Sequence, residues 1–405
     1  MSEHAAPETS EQEHADVLGR VTEEVTLEYA QGLMRFPSIN PPGDYEGVTA
    51  YVLDEFEKLQ LEIATTKCHE GRINVVGRLP GAGDGNALCL AAHTDVVGVG
   101  DVDRWSFDPF VADVENGLLR GRGSADSKGM LAGMMTAVRA IRESGARLSG
   151  DLYLVAYTDD ETAGPCGLRD AYAQNLIPVE RLVLGEATNF EVQYIFKARL
   201  WFSVEVFGRS SHGAFPDRGI NAIDKAYLVM EAIRSIPLME HDVLGKDTVS
   251  IGMIEGGEQV NVVAGSCRVW FDVRWSPPRS SAEIRDLVSA ELQKVAAKES
   301  DIRIGEIQVT EERDPLEFDT GSELNETIVS AGRTLFGRNI GRGGWYSSGE
   351  LWPVWQQGRI RMGAVVGPGE PWQAHSYDEH ISVQDLVDGA RLYTLIALGV
   401  CGRSE

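Results

Sequence analysis

The segment Asp159-Asp160-Glu161-Thr162 follows an apolar run, Leu152-Tyr153-Leu154-Val155-Ala156-Tyr157, so a group of carboxylates stands at the end of what reads as a buried strand. Four other segments carry side chains able to bind a cation or move a proton. They are His93-Thr94-Asp95, the glycine-rich stretch from Gly121 to Gly129 that contains Asp126, Gly185-Glu186-Ala187-Thr188, and Ala374-His375. Imidazole nitrogen and carboxylate oxygen are donors that zinc accepts readily. A carboxylate outside the ligand set can take a proton from water and return it to a leaving amine. Each piece alone has an ordinary reading. A strand-end histidine is more often a satisfied polar group, an acidic pair is usually a solvated turn, and Gly121-Arg122-Gly123 is usually just a turn. Asp95 lies two residues after His93 on an extended segment, so both side chains fall on the same face.

The elements that must position these residues read as alternating strands and helices. Helical periodicity covers Val17 to Arg35 and Tyr51 to Leu61, with the turn-rich Ser38-Ile39-Asn40-Pro41-Pro42-Gly43 between them. Strands are expected at Asn74 to Leu79 and at Leu88 to His93, and a helix from Ser127 to Glu143. This alternation predicts an α/β domain with a mixed, largely parallel sheet flanked by helices. The chemistry-bearing residues then lie at strand ends, where open α/β sheets usually hold their ligands. Past Tyr194 the pattern changes: strands at Leu200 to Gly208, Thr248 to Ile254 and Ser266 to Trp275 join helices at Asn221 to Ile236 and Ser281 to Ala297. Helix–strand alternation resumes from about Pro315 and ends in a helix from Val383 to Leu398. The expected organisation is a discontinuous domain, 17–195 and 309–405, interrupted by an inserted α+β domain, 196–308. Residues 1–16, polar and acidic, read as a disordered tail and not as a secretory signal.

At 405 residues and 43% hydrophobic, the chain can bury a core in each of two domains. A net charge of −25 argues against nucleic acid and anionic membrane surfaces as partners. No run approaches the roughly 18 apolar residues of a membrane span. Five dispersed cysteines with no C-x-x-C pair suggest reduced thiols in a cytoplasmic protein, and Cys166 reads as packing.

The five segments resemble the metal-binding motifs of the M20 family of zinc-dependent amidohydrolases, which includes acetylornithine deacetylase, succinyl-diaminopimelate desuccinylase, aminoacylases and glutamate carboxypeptidases. The resemblance implies two divalent ions per chain, most often zinc, with cobalt and manganese also suited to such donors. It implies that His93 and Glu186 hold one ion, Glu161 and His375 the other, and that Asp126 bridges them. Asp95 would orient His93, and a cis peptide would follow Asp126. The family's general base is a glutamate, and Asp160 stands in its place, one methylene shorter. Gly208-Arg209-Ser210-Ser211-His212-Gly213 resembles the family's dimerisation, or lid, segment, whose histidine reaches a partner's site and stabilises the oxyanion; that role falls to His212. Asn261, Arg274 and Gly367 match family positions at the substrate. An arginine can clamp a carboxylate with two parallel hydrogen bonds, and the alternative for Arg274 is a salt bridge to a strand neighbour.

The expected function is hydrolysis of the amide of an N-acyl amino acid or related small molecule by metal-activated water, in a homodimer joined through the inserted domain. Three other readings share these residues: a dipeptidase or carboxypeptidase, a hydrolase of a less usual C–N bond, and a metal-stabilised binding protein that has lost turnover. The peptidase readings differ from the first only in which side of the amide is recognised, which the sequence does not decide; Asp160 separates enzyme from binding protein, because restoring glutamate should raise activity in an enzyme slowed by a shortened base.

Overall fold

The computed structural model describes residues 8–68, 71–83, 85–347 and 349–402. The chain divides into two compact units. One contains the residues up to Tyr194, Phe318–Arg342 and those from Gly349 onward; the other contains Ile195–Glu317 and Gly343–Ser348.

The first unit is built on a mixed sheet. Its central strands run in the order Leu152–Tyr157, Leu88–His93, Arg181–Leu184, Met362–Val365, all parallel. Antiparallel strands Val75–Leu79 and Glu62–Thr65 extend one side. Leu88–His93 and Leu152–Tyr157 are buried along their whole length, which is why they read as continuous apolar runs and not as alternation. Helix Lys128–Ser144 is buried on nearly every face through Met130, Leu131, Met134, Met135 and Val138. It packs against helix Val383–Cys401 and helix Glu23–Met34. Gly145 ends it in the left-handed conformation (φ 73°), which glycine adopts without a Cβ penalty.

The expected tail is partly helical. Helix Glu8–Leu18 packs against Lys128–Ser144 and Val383–Cys401, and Val17 is fully buried in the core. Its mostly polar composition hid the contact that Val17 and Leu18, at its end, make with the core. Residues 1–7 of that tail lie outside the described residues. The single helix expected from Val17 is two, because Thr22 breaks the run and caps Glu23–Met34 through the Val25 N–H (3.3 Å).

The second unit is an antiparallel sheet with strand order Thr248–Gly256, Ser266–Trp275, Ala198–Phe207, Arg303–Ile304; strand Gln308–Arg313 also pairs with Ala198–Phe207. Its inward residues alternate with exposed ones and meet helices Ala222–Arg234 and Ser281–Lys298 in a core that includes Leu200, Val204, Phe271, Val229 and Val288. Phe202 and Phe271 stack at 5.1 Å. The unit runs on to Glu317 where the sequence suggested 308, because Gln308–Arg313 adds a strand to this sheet.

Candidate metal centre

His93 closes strand Leu88–His93, and Asp160 and Glu161 follow strand Leu152–Tyr157. The two strands pair in parallel with His93 opposite Tyr157, so both segments leave the sheet at the same edge. Glu186 follows Arg181–Leu184, the next parallel strand on the other side. Asp126 stands just before helix Lys128–Ser144, and the Asp126–Ser127 peptide bond that follows it is cis.

The structure brings the five expected ligands together. Asp126 faces two imidazoles: Oδ1 lies 3.0 Å from His93 Nε2, and Oδ2 lies 3.2 Å from His375 Nε2. His375 Nε2 is also 3.0 Å from Glu161 Oε2, and His93 Nε2 is 3.8 Å from Glu186 Oε1. One carboxylate thus has an oxygen for each of two donor groups. Among the described residues, two sets have ligand atoms close enough to share an ion: His93, Asp126 and Glu161, and His93, Asp160 and Glu186. Asp160 therefore stands within reach of an ion shared with His93 and Glu186.

The electrostatics fit cation binding. Burial, and then the neighbouring Asp126, push Glu186 well above the ordinary carboxylate range; burial also raises Glu161 and Asp160 from their ordinary values. His375 is pushed up to about 10 by its hydrogen bonds to Asp126 and Glu161. Burial pulls His93 down, but Asp126, Asp160 and Glu186 outweigh it and raise it. Burial would raise Asp126 too, yet the two imidazoles hold it below its usual range. Four carboxylates in so small a space call for more positive charge than two imidazoles carry, and divalent cations supply it.

Asp95 meets His93 mainly through its backbone oxygen. His93 Nδ1 meets the Asp95 backbone oxygen at 2.9 Å, while the carboxylate is 3.6 Å away. The Asp95 carboxylate instead accepts from the backbone N–H groups of Asp160 (3.4 Å) and Glu161 (3.2 Å). It fixes the acidic loop, and its main chain fixes the imidazole. Gly367 packs against the Glu186 turn: a Cβ there would lie 2.5 Å from the Glu186 oxygen, so the close approach requires glycine.

Several residues escaped the sequence reading. Asn40 donates to Asp95 Oδ2 (2.9 Å) and reaches Asp159 Oδ1 (3.3 Å) and Thr162 Oγ1 (3.2 Å). Asp159 adopts φ 70°, held there by Arg72 (3.3 Å), the Cys166 N–H (3.1 Å) and Thr162 (3.0 Å). Glu379 is fully buried, pairs with Arg122, and accepts from the N–H groups of Gly123 (3.0 Å), Ala125 (2.9 Å) and Asp126 (3.2 Å). It shapes the loop that presents Asp126. Its place four residues after His375 was the one available signal.

Cys166 is not merely packing. It forms a disulfide with Cys68, which ties the segment after Glu161 to the connection between strands Glu62–Thr65 and Val75–Leu79. The reading of all five cysteines as reduced thiols is corrected for this pair, and with it goes that argument for a cytoplasmic setting. Cys89, Cys267 and Cys401 are free and buried.

The remaining expected residues lie in the second unit. His212 is exposed and bridges Val262, and the Gly213 N–H donates to the Asn261 oxygen (2.7 Å), so the two positions are neighbours. Arg274 is already paired. Its Nε and Nη2 meet Asp272 Oδ1 (2.7 Å) and Oδ2 (3.0 Å), the strand-neighbour alternative, and its Nη1 meets the Tyr346 oxygen at 3.3 Å.

Residues 89–399 match the family described as peptidase family M20/M25/M40. The chain belongs to the M20 family. Among M20 relatives, acetylornithine deacetylase of Aliivibrio fischeri (strain MJ11) is 28% identical over 80% of this chain and 84% of its own. N-formyl-4-amino-5-aminomethyl-2-methylpyrimidine deformylase of Bacillus subtilis (strain 168) is 25% identical over 94% of this chain and 96% of its own. A dinuclear metal-binding M20 peptidase from Bacillus subtilis shares the fold, with a TM-score of 0.72 and 14% identity over 94% of this chain and 98% of that one. This M20 chain is an amidohydrolase of a metal-dependent family.

Proposed function

We propose that this protein cleaves the amide of an N-acyl amino acid or a related small amide, with two divalent ions, zinc first among them. The observation that carries this reading is the Asp126 carboxylate, with one oxygen on His93 and the other near His375. His93 and Glu186 would hold one ion, Glu161 and His375 the other, and Asp126 both. When bound, such ions polarise a scissile carbonyl and acidify water.

The chain's own residues then divide the remaining work. Asp160 takes the proton of the attacking water as its oxygen joins the amide carbon, and delivers it to the nitrogen as the C–N bond breaks. Asp95 and Asn40 fix the loop that carries it. His212 of a second copy donates to the oxygen that gains charge. Asn261, Gly367 and Arg274 contact substrate; for Arg274 to clamp a carboxylate, the substrate must displace Asp272. A homodimer through the second unit is supported by strand Thr248–Gly256, an edge strand whose Met253 and Ile254 are 61% and 52% exposed.

Zinc-loaded protein should release amine from at least one member of a panel of N-acetyl, N-succinyl and N-aromatic-acyl amino acids and dipeptides. Asp160→Ala should lower that rate by about 10² to 10⁴. No turnover across the panel by protein that binds two ions per chain would favour a binding role instead.

A further inference from the structure

The shortened base has a compensating neighbour. Tyr157, the last residue of strand Leu152–Tyr157, is fully buried, and its hydroxyl donates to Asp160 Oδ1 at 3.1 Å. Among the described residues this is the hydrogen bond that the Asp160 carboxylate makes, since the other bonds at this residue use its backbone: its N–H donates to Asp95 and its carbonyl accepts from the Ala163 N–H (2.8 Å). The ring is fixed in turn. It lies edge-on to the His93 imidazole at 6.0 Å, and the Tyr157 carbonyl accepts from the Thr94 N–H (2.8 Å) and hydroxyl (3.1 Å). The phenol therefore delivers a donor to a set point beside the loop.

That point matters because Asp160 has two places to go. It belongs to the set with His93 and Glu186 that could close around an ion, and a carboxylate bound to an ion is a poor proton acceptor. A hydrogen bond to Oδ1 restrains the carboxylate through one oxygen, and among the described residues Oδ2 accepts no hydrogen bond. A glutamate reaches farther by one methylene and has no need of this restraint, whereas an aspartate displaced by about 1 Å loses productive geometry.

We infer that Tyr157 is a positioning residue that holds Asp160 off the ion and in the orientation of a proton acceptor. This rests on the reading of Asp160 as the base. Tyr157 and Asp160 would then work as a matched pair, long phenol with short carboxylate.

The test compares wild type, Tyr157→Phe, Asp160→Glu, the double variant and Asp160→Ala, each loaded with two equivalents of Co²⁺ or Zn²⁺. The substrate is the best amide found above. Tyr157→Phe removes one oxygen and keeps the ring, so folding is checked by its melting midpoint. The expected result is a fall in kcat of about ten- to a hundredfold with KM within about twofold, as for loss of a hydrogen bond to a charged group. The Co²⁺ visible spectrum of Tyr157→Phe should shift as Asp160 joins the ion, and that shift should be absent from Tyr157→Phe/Asp160→Ala. In the Asp160→Glu background the same loss of hydroxyl should cost less than about threefold. Equal losses in both backgrounds, an unchanged kcat, or an unchanged Co²⁺ spectrum would overturn the inference. If Asp160→Ala keeps full activity, the reading of Asp160 as base fails; if it is inactive while Tyr157→Phe behaves as wild type, only the role of Tyr157 fails.

Discussion

At the scale of single residues, the centre depends on buried polar groups that touch no substrate. Glu379 is the clearest case. It joins Arg122 to three backbone N–H groups of the loop that ends in Asp126, and both side chains are almost wholly buried. Glu379→Gln leaves the Arg122 guanidinium without a counter-charge, which typically costs about 3 to 5 kcal/mol. Denaturant unfolding of the metal-free protein should show a loss of this size, and ion binding should weaken because Asp126 is no longer presented. A variant with wild-type stability and ion affinity would make Glu379 a bystander. The ligand types were legible because His, Asp and Glu at strand ends carry few competing explanations when five occur in one order. The supporting residues were not. Asn40 sits in a proline-rich turn and Tyr157 in an apolar run, and neither context distinguishes a hydrogen-bond partner from a turn or core residue.

At the scale of elements, the parallel strands place the chemistry and the antiparallel strands of the second unit offer an edge. Thr248–Gly256 is nine residues long, exposed for most of its length, and carries Met253 and Ile254 outward. Long exposed apolar edges are normally covered. Ile254→Arg should convert the proposed dimer to monomer in sedimentation velocity, with turnover lost because His212 no longer meets a partner's site. A monomeric variant that retains full turnover would remove His212 from the reaction. Strand and helix placement followed from periodicity, 3.6 for Ala222–Arg234 and 2 for Ser266–Trp275. Element ends were harder. Helix Glu8–Leu18 is polar along most of its length, and its place depends on a tertiary contact at Val17. Strand Gln308–Arg313 is mostly polar and is held by backbone pairing, which leaves no apolar pattern to find.

For the whole molecule, the Cys68–Cys166 disulfide is the feature composition could not reveal. The partners are 98 residues apart in sequence, and connectivity depends on Cα positions that only the fold supplies. Closing so long a loop restricts the unfolded chain, a stabilisation of about 4 to 5 kcal/mol in the chain-entropy view. Reductant should therefore lower the unfolding midpoint of the wild type and leave Cys68→Ser unchanged at the lower value. Equal midpoints for the two proteins without reductant would show that the bond contributes nothing. Among the described residues no helix is long and apolar enough to cross a membrane, and the net charge of −25 remains a reason to look for small-molecule and not polyanionic partners. The proposed centre has five side chains that hold two ions and serves amide hydrolysis. It is tested most directly by metal analysis of wild type and Asp126→Asn after dialysis against Zn²⁺, with amide turnover measured on the same samples. The expected result is two ions per chain and turnover in the wild type, and fewer than two ions with turnover abolished in Asp126→Asn. Two ions retained by Asp126→Asn, or amide hydrolysis by chelator-stripped protein at the wild-type rate, would contradict it.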